Sequence, residues 1–258
     1  MMKIIKVTLF LSVMLNHVHA QTATGISIIP RPSSITVFKD SFVISNKTTI
    51  YTDANSPELE KVAEIFTGRL KQQSNLTVAL DNDKTMPRRN SIHLTLKNAP
   101  DTLGTEGYIL SVQKNGITIT AQAPNGIFYG MQSLLQLVPL KTGGSFIKAL
   151  IPCMVIADKP RFEWRGLMLD VGRYFYSVDF IKKYIDDMAM HKMNTFHWHL
   201  TEDHGWRIEI KKYPRLTEIG AWREATQFNK AANQINKTPH GGYYTQDQIR
   251  EVVAHAKD

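Results

Sequence analysis

The sequence contains a single cysteine, Cys153, among its 258 residues. One thiol cannot form a disulfide within the chain, so a disulfide scaffold is excluded and an apolar core has to stabilise the fold. Beyond the first twenty residues, no apolar run approaches the 18 residues that a membrane-spanning helix needs. We therefore expect no membrane span in the mature protein.

Runs of like charge are also missing. The formal net charge is +8, but the lysines and arginines are scattered and no five like charges stand together. Nucleic-acid binding usually leaves a basic stripe or cluster in a sequence. The pattern therefore predicts no nucleic-acid partner.

The N-terminus has the order of a secretory signal peptide. Lys3 and Lys6 precede an apolar run over residues 7–15, and small residues lead up to Ala20. This apolar core is too short to span a bilayer. We predict a signal peptide over residues 1–20 with cleavage after Ala20, and therefore a secreted or periplasmic protein.

Residues 21–157 have the pattern of an α+β domain. Asn115 and Gly116 separate two β-rich runs, and this dipeptide predicts a hairpin whose turn residues have φ > 0. Ser56 before a proline predicts a helix start, and a second helix is predicted to begin near Asn125. The prediction is an antiparallel sheet packed against two helices.

From residue 158 to 258, strand and helix patterns alternate. The short apolar run 166–170 is followed by a helix capped by Ser177, the strand-like segment 194–200, a long loop, and a helix that begins with a capping box at Thr245. This order predicts a doubly wound sheet or a barrel. Two strands complete neither fold, so we expect the sequence to be truncated within this domain.

The densest group of reactive side chains spans residues 197–207, where imidazoles, carboxylates, indoles and a guanidinium fall within eleven residues. In a strand, His197 and His199 point to one face, and barrel enzymes assemble their sites in the loops that follow such strands. One alternative is a metal-dependent amidohydrolase in which this His-x-His pair binds zinc or iron. Trp198 and Trp206 favour carbohydrate chemistry, because indole rings stack on sugar faces.

Two arginines accompany the first barrel strand. Arg165 opens it, and an arginine there is unusual unless its planar fork engages vicinal hydroxyls or carboxylates. Its alternative role is an ion pair with Asp170 or another acid at the floor of the barrel. Asp170 and Arg173 are three residues apart, and we interpret them as a local structural ion pair.

Four segments carry a resemblance to a known family. WRGLMLDVGRYF at 164–175 and NTFHWHLTEDHGWR at 194–207 resemble the first two barrel strands of the β-N-acetylhexosaminidases of glycoside hydrolase family 20. Residues 29–32 and 106–137 resemble the smaller N-terminal domain of that family. The resemblance covers nearly all of the mature chain and implies that residues 158–258 begin a TIM (β/α)8 barrel.

The resemblance implies a retaining glycosidase that releases terminal non-reducing β-linked N-acetylglucosamine or N-acetylgalactosamine from a glycan substrate. In this family the 2-acetamido oxygen of the substrate attacks the anomeric carbon, a Glu protonates the leaving oxygen, and an adjacent Asp orients the acetamido group. The sequence contains no Asp-Glu dipeptide, so the pair is expected beyond Asp258 and no catalytic residue lies in this chain. The mechanism implies no cofactor and no metal; the oligomeric state stays open.

Residue by residue, the resemblance assigns supporting roles. Arg165 matches the arginine that binds hydroxyls of the terminal sugar. Glu202 matches an acidic position that supports a downstream histidine and through it the catalytic Glu, and Asp203 is the alternative for that role. His199 and Trp206 are further candidates. A catalytically silent glycan-binding protein on the same scaffold is the remaining alternative.

Overall fold

The structure is a computed structural model that describes residues 25–53, 56–81, 89–140, 148–229 and 234–257. The predicted signal peptide lies outside the described residues. None of the helices in these ranges combines the length and the apolarity that a membrane span requires.

The N-terminal unit is a seven-stranded sheet with two helices on one face. The helices are α1 (Pro57–Ser74) and α2 (Pro124–Leu137). The strands are β1 (Ser34–Ser45), β2 (Thr49–Thr52), β3 (Ala79–Asp81), β4 (Ser91–Thr95), β5 (Tyr108–Gln113), β6 (Gly116–Ala121) and β7 (Lys148–Asp158). Their order across the sheet is β1-β7-β5-β6-β4-β2-β3. Apolar residues from the sheet and both helices form one buried core.

This sheet is mixed, which corrects the predicted antiparallel arrangement. The strands β1, β7, β5 and β6 pair antiparallel, whereas β6, β4, β2 and β3 pair in parallel. The helix α1 connects β2 to β3 as a crossover, and a crossover of this kind joins parallel neighbours. The alternation of apolar and polar residues is the same in both kinds of pairing, so it could not distinguish them.

The predicted hairpin is the β5–β6 hairpin, but its turn differs. Lys114 and Asn115 form the turn and neither has a positive φ. Gly116 is instead the first residue of β6 and pairs with Ser91. A Cβ at this position would lie 3.1 Å from the Ser91 carbonyl oxygen. The glycine therefore allows a close approach between strands.

The predicted helix starts are confirmed. The Ser56 hydroxyl accepts a hydrogen bond from the Leu59 amide and caps α1. The second helix begins at Pro124, next to the predicted Asn125. At the other end of α1, Asn75 adopts the left-handed conformation with φ 61°, a common helix terminator.

The C-terminal unit begins with a strand–helix–strand element. The strands β8 (Gly166–Asp170) and β9 (Thr195–His199) pair in parallel and are connected by α3 (Val178–Met190). Short elements follow: β10 (Thr201–Glu202), β11 (Gly205–Trp206), α4 (Arg215–Glu218), β12 (Trp222–Arg223), β13 (Thr226–Asn229), β14 (Gln234–Asn236), β15 (His240–Gly241) and α5 (Gln246–Lys257). The predicted order of strand, helix, strand, loop and helix is therefore present.

Both predicted caps of this unit are also present. The Ser177 hydroxyl accepts from the Phe180 amide. Thr245 and Gln248 exchange the two side-chain-to-backbone hydrogen bonds of a capping box, at 2.9 and 3.2 Å. Phe180 of α3 is exposed and stacks on Tyr176, with ring centroids 4.5 Å apart.

Candidate active site

The carboxyl ends of β8 and β9 lie side by side. The pairing runs from Gly166 opposite Thr195 to Asp170 opposite His199, so the loops after both strands emerge at the same edge. This is the edge at which barrel enzymes place their catalytic groups. The parallel register therefore assembles the candidate site.

An exposed arginine joins two carboxylates at this edge. The Arg173 backbone N–H donates to Asp170 Oδ1 at 3.0 Å, and its guanidinium contacts Asp170 Oδ2. Arg173 Nη2 lies 3.0 Å from Glu202 Oε2. The side chain of Arg173 is 58% exposed, whereas that of Glu202 is 10% exposed. The guanidinium is thus accessible to a ligand, with the carboxylates beneath it.

The charge state of Asp170 follows from these contacts. Burial raises the pKa of Asp170, but the hydrogen bonds from the Arg173 amide and guanidinium outweigh burial and bring the pKa below its usual value. Glu202 Oε1 is buried and lacks a hydrogen-bond partner among the described residues, although His204 Nδ1 lies 3.2 Å away. That oxygen can accept a hydrogen bond from a further group.

Arg207 holds together the loops around the site. Its guanidinium is fully buried and donates to backbone carbonyls from three segments of the chain. These carbonyls belong to Val171, Gly172, Ala221 and Gly242, with distances of 2.8–3.0 Å for three of them. The Ala221 carbonyl also accepts from the Gly242 amide. Each buried carbonyl that loses its hydrogen-bond partner costs about 1–3 kcal/mol, so removing the guanidinium would destabilise these loops.

Two further side chains tie the loops to one another. Arg223 donates to the carbonyls of Arg173 and His204, which belong to the loops after β8 and β9. His240 Nε2 accepts a 2.8 Å hydrogen bond from the Phe175 amide. Burial lowers the pKa of His240, and the nearby Arg223 and Arg207 lower it further. The imidazole is therefore held neutral in the form that accepts this hydrogen bond.

The predicted supporting residues lie in this region with different contacts. Glu202 is at the center of the cluster, but Asp203 is 86% exposed and contacts His204 at 2.8 Å. His199 Nε2 is buried and has no hydrogen-bond partner in the described part of the chain. The Trp206 indole N–H donates to the Ile208 carbonyl at 2.7 Å.

The position of Arg165 argues against its predicted role in substrate binding. Arg165 precedes β8 at the amino end, about 16 Å along the strand from Asp170. Its guanidinium makes a bidentate ion pair with Glu106 at 2.9 and 3.0 Å and also donates to the Phe162 carbonyl. These contacts correct the interpretation of Arg165 as a sugar-binding residue, because acceptors within the protein already occupy the N–H groups of its guanidinium.

Sequence reasoning missed Arg173 and Arg207 as functional candidates. It interpreted Arg173 as part of a local structural pair and assigned no role to Arg207. The spacing of Arg173 from Asp170 could not show the second contact to Glu202, which comes from another loop. The sequence feature related to Arg207 is the glycine at position 205. A Cβ at that position would lie 2.4 Å from the Arg207 guanidinium, so the packing of this side chain requires a glycine there.

The histidine pair of β9 has the predicted orientation. The rings of His197 and His199 lie on one face, with centroids 6.2 Å apart. Across the described residues, one group of three or more potential metal ligands is present, formed by Glu202, Asp203 and His204. It includes neither His197 nor His199. The arrangement of described residues therefore gives the amidohydrolase alternative no ligand set.

Comparisons with known proteins agree with the two-unit architecture. The family model for domain 2 of glycosyl hydrolase family 20 matches residues 25–159, and that for its catalytic domain matches residues 162–258. The chain is 43% identical over 237 residues to a β-hexosaminidase of Porphyromonas gingivalis, which covers 91% of this chain and 29% of the relative. It is 36% identical over 244 residues to a β-hexosaminidase of Vibrio furnissii, covering 94% and 37%.

A solved structure of a family 20 enzyme is also similar to this chain. The GH20 exo-β-N-acetylglucosaminidase from Vibrio harveyi in complex with N-acetylglucosamine matches with a TM-score of 0.75 and 33% identity, over 89% of this chain and 34% of that chain. The chain thus spans about a third of the length of these relatives. The two family models leave the amidohydrolase alternative without support. The chain belongs to glycosyl hydrolase family 20.

Proposed function

We propose that the whole protein is a β-N-acetylhexosaminidase that releases terminal non-reducing β-linked N-acetylglucosamine or N-acetylgalactosamine from glycans. The observation that carries the proposal is the cluster of Asp170, Arg173 and Glu202 at the carboxyl ends of two parallel strands in a family 20 chain. The β-hexosaminidase relatives and the N-acetylglucosamine in the Vibrio harveyi structure support this substrate class.

Arg173 is the group that we assign to the terminal sugar. Its guanidinium is exposed at the rim, and two carboxylates fix its orientation. A guanidinium offers several N–H donors in one plane, which suits a pair of neighbouring hydroxyls. Asp170 and Glu202 thus orient Arg173, and Arg173 orients the sugar.

Glu202 is the residue that we assign to support of the catalytic acid. Its buried Oε1 has no hydrogen-bond partner among the described residues, which supports its assignment as acceptor for a histidine from the rest of a (β/α)8 barrel. Such a hydrogen bond fixes the tautomer and the orientation of an imidazole. The high exposure of Asp203 makes it the weaker candidate for this role.

The proposed mechanism is substrate-assisted and retains the anomeric configuration. The acetamido oxygen forms a bond to the anomeric carbon while the bond to the leaving oxygen breaks, and a Glu transfers its proton to that oxygen. Water then forms a bond to the anomeric carbon and gives a proton to the Glu, while the bond from that carbon to the acetamido oxygen breaks and the acetamido group is restored. This sequence contains no Asp-Glu dipeptide, and we propose that the rest of the whole protein contributes this acid and its adjacent Asp.

Matched aryl glycosides test this proposal. The complete protein should hydrolyse an aryl β-N-acetylglucosaminide and leave the corresponding β-glucoside essentially untouched, because a 2-hydroxyl cannot close the oxazolinium ring. A thiazoline mimic of that ring should inhibit strongly, since it resembles the intermediate. Chelators should have no effect.

Three other outcomes contradict the proposal. Comparable cleavage of the β-glucoside would require an enzymic nucleophile. Loss of activity in a chelator, with recovery on adding zinc, would require a metal. Binding of the thiazoline without any turnover would identify a catalytically silent glycan-binding protein.

A further inference from the structure

We propose that the N-terminal domain is a positioning element for the candidate active site, acting through two polar networks that fix the amino ends of β8 and β9. The Arg165 network consists of Arg165, Glu106, Tyr129 and Asn194. The Lys192 network consists of Lys192, Tyr108, Ser133 and Asp158. The activity test of this inference rests on the proposed function, and its hydrogen-exchange test does not.

The Arg165 network joins the start of β8 to the N-terminal domain. Arg165 Nη1 and Nη2 donate to the two oxygens of Glu106 at 3.0 and 2.9 Å, and Nη2 also donates to the Tyr129 hydroxyl at 3.2 Å. Both charged side chains are largely buried. The hydrogen bonds from Arg165 hold the pKa of Glu106 below its ordinary value. The carboxylate thus remains charged throughout the neutral range.

The same network reaches β9. Asn194 Nδ2 donates to Glu106 Oε1 at 3.2 Å, and Asn194 Oδ1 accepts from the Arg165 amide at 3.0 Å. Arg165 Nε donates to the Lys192 carbonyl at 2.8 Å. Glu106 therefore contacts Arg165 and Asn194, the residues immediately before β8 and β9, and it sets the relative position of the two strands.

The Lys192 network fixes the turn that enters β9. Lys192 Nζ lies 2.8 Å from the Tyr108 hydroxyl and 2.9 Å from Asp158 Oδ2, and the Tyr108 hydroxyl lies 2.6 Å from Ser133 Oγ. Lys192 is 7% exposed and has φ 60°. A lysine in the left-handed region is unfavourable by about 1–3 kcal/mol unless the surroundings hold it there. Backbone hydrogen bonds at the end of α3 do so, from the Lys192 amide to the Ala189 carbonyl and from the Met193 amide to the Met188 carbonyl. The ion pair with Asp158 fixes the Lys192 side chain to the N-terminal domain.

The strand geometry connects these networks to the site. β8 and β9 are five residues long and paired along their whole length, so a shift at the amino ends moves Asp170 and His199 at the carboxyl ends. A displacement of about 1 Å in a catalytic site lowers turnover by about 10²-fold. The N-terminal domain can therefore control turnover without contacting substrate.

A third interdomain pair provides a matched control. Arg69 of α1 forms an ion pair with Asp186 of α3, and both side chains are more exposed than Arg165 and Glu106. This pair joins the two domains through helices and contacts neither β8 nor β9. Arg69→Gln therefore removes an interdomain charge pair while leaving both networks intact.

The experiment compares Glu106→Gln, Asp158→Asn and Arg69→Gln in the complete protein. Well below the unfolding temperature, the first two variants should lose at least about tenfold in kcat with a smaller change in KM, whereas Arg69→Gln should stay within about twofold of wild type. Hydrogen exchange of the β8 and β9 amides should be faster in the first two variants alone. Tyr108→Phe replaces Asp158→Asn if that variant does not fold.

Unchanged kcat and unchanged exchange of β8 and β9 in the folded network variants would overturn the inference, even if their unfolding temperatures fall. Equal changes in kcat and in hydrogen exchange in Arg69→Gln would also overturn it, because the effect would then not be specific to the two networks. If the wild-type protein has no turnover, the proposed function fails and exchange alone decides. In that case, faster hydrogen exchange along β8 and β9 as far as Asp170 and His199 in the network variants supports the positioning role. Unchanged hydrogen exchange contradicts it.

Discussion

At the scale of single residues, Arg173 and Arg165 show how similar side chains take different roles at the two ends of one strand. Arg165 is enclosed by Glu106, Tyr129 and backbone carbonyls, whereas Arg173 remains accessible beside Asp170 and Glu202. In a parallel βα fold, the amino ends of the strands contribute to stability and the carboxyl ends to chemistry. The two arginines follow this division.

The corresponding prediction concerns Arg173→Ala in the complete protein. We expect kcat/KM to fall by about 10²-fold, because a charge-assisted contact that tightens in the transition state contributes about 2–4 kcal/mol. Arg173→Lys should not restore activity, since a single ammonium lacks the planar fork. Steady-state kinetics on an aryl β-N-acetylglucosaminide measures this. Wild-type kinetics in a folded Arg173→Ala variant would remove Arg173 from the site.

The candidate site could be predicted from the sequence only in part. Glu202 is a candidate because it lies in a dense polar segment directly after a strand, and the structure shows it in contact with Arg173. The assignment of Arg165 failed because an arginine at the start of a strand has the same sequence pattern whether it faces substrate or a neighbouring domain. The partner that decides this is Glu106, which lies 59 residues earlier in the chain.

At the scale of secondary-structure elements, the helix caps and the β5–β6 hairpin agree with the prediction, whereas the pairing of β6, β4, β2 and β3 does not. The caps at Ser56, Ser177 and Thr245 each depend on contacts within three residues, so the sequence predicted them. The direction of strand pairing depends on where a crossover returns to the sheet. The alternation of apolar and polar residues does not indicate that point. The predicted antiparallel sheet is therefore wrong for the parallel pairs β6–β4, β4–β2 and β2–β3.

The contact between β15 and the loop after β8 leads to a pH prediction. His240 accepts from the Phe175 amide only while its Nε2 is unprotonated, and burial together with Arg223 and Arg207 depresses its folded pKa below 6.5. A base with a depressed folded pKa contributes its full stability above pH 6.5 and loses it as the pH falls through 6.5 toward the folded value. The unfolding temperature of the protein should therefore fall in this window.

His240→Gln isolates that contribution. Glutamine offers a carbonyl acceptor that does not titrate. Below pH 6.5, the unfolding temperature of the variant should therefore fall less than that of the wild-type protein. Calorimetry of both proteins from about pH 8 to pH 5 measures the difference. Identical pH dependence in the two proteins would show that protonation of His240 does not weaken the loop.

At the scale of the whole molecule, the two networks and the candidate site occupy opposite ends of the same two strands. Glu106 and Asp158 of the N-terminal domain engage the amino ends, and the cluster around Arg173 occupies the carboxyl ends. The contact with the N-terminal domain thus lies away from the rim to which we assign the terminal sugar. In our proposal, a domain that contributes no residue to the Arg173 cluster acts on that cluster through the amino ends of these strands.

The final prediction concerns export of the whole molecule. Lys3, Lys6 and the apolar run over residues 7–15 should direct secretion, with cleavage after Ala20. Mass spectrometry of the exported protein should find Gln21 at the N-terminus. Leu11→Arg places a charge in the apolar core, where insertion into the bilayer costs about 2.5–3.5 kcal/mol, so uncleaved precursor should accumulate inside the cell. An exported protein that retains Met1, or normal export of the Leu11→Arg variant, would show that this segment is not a cleaved signal peptide.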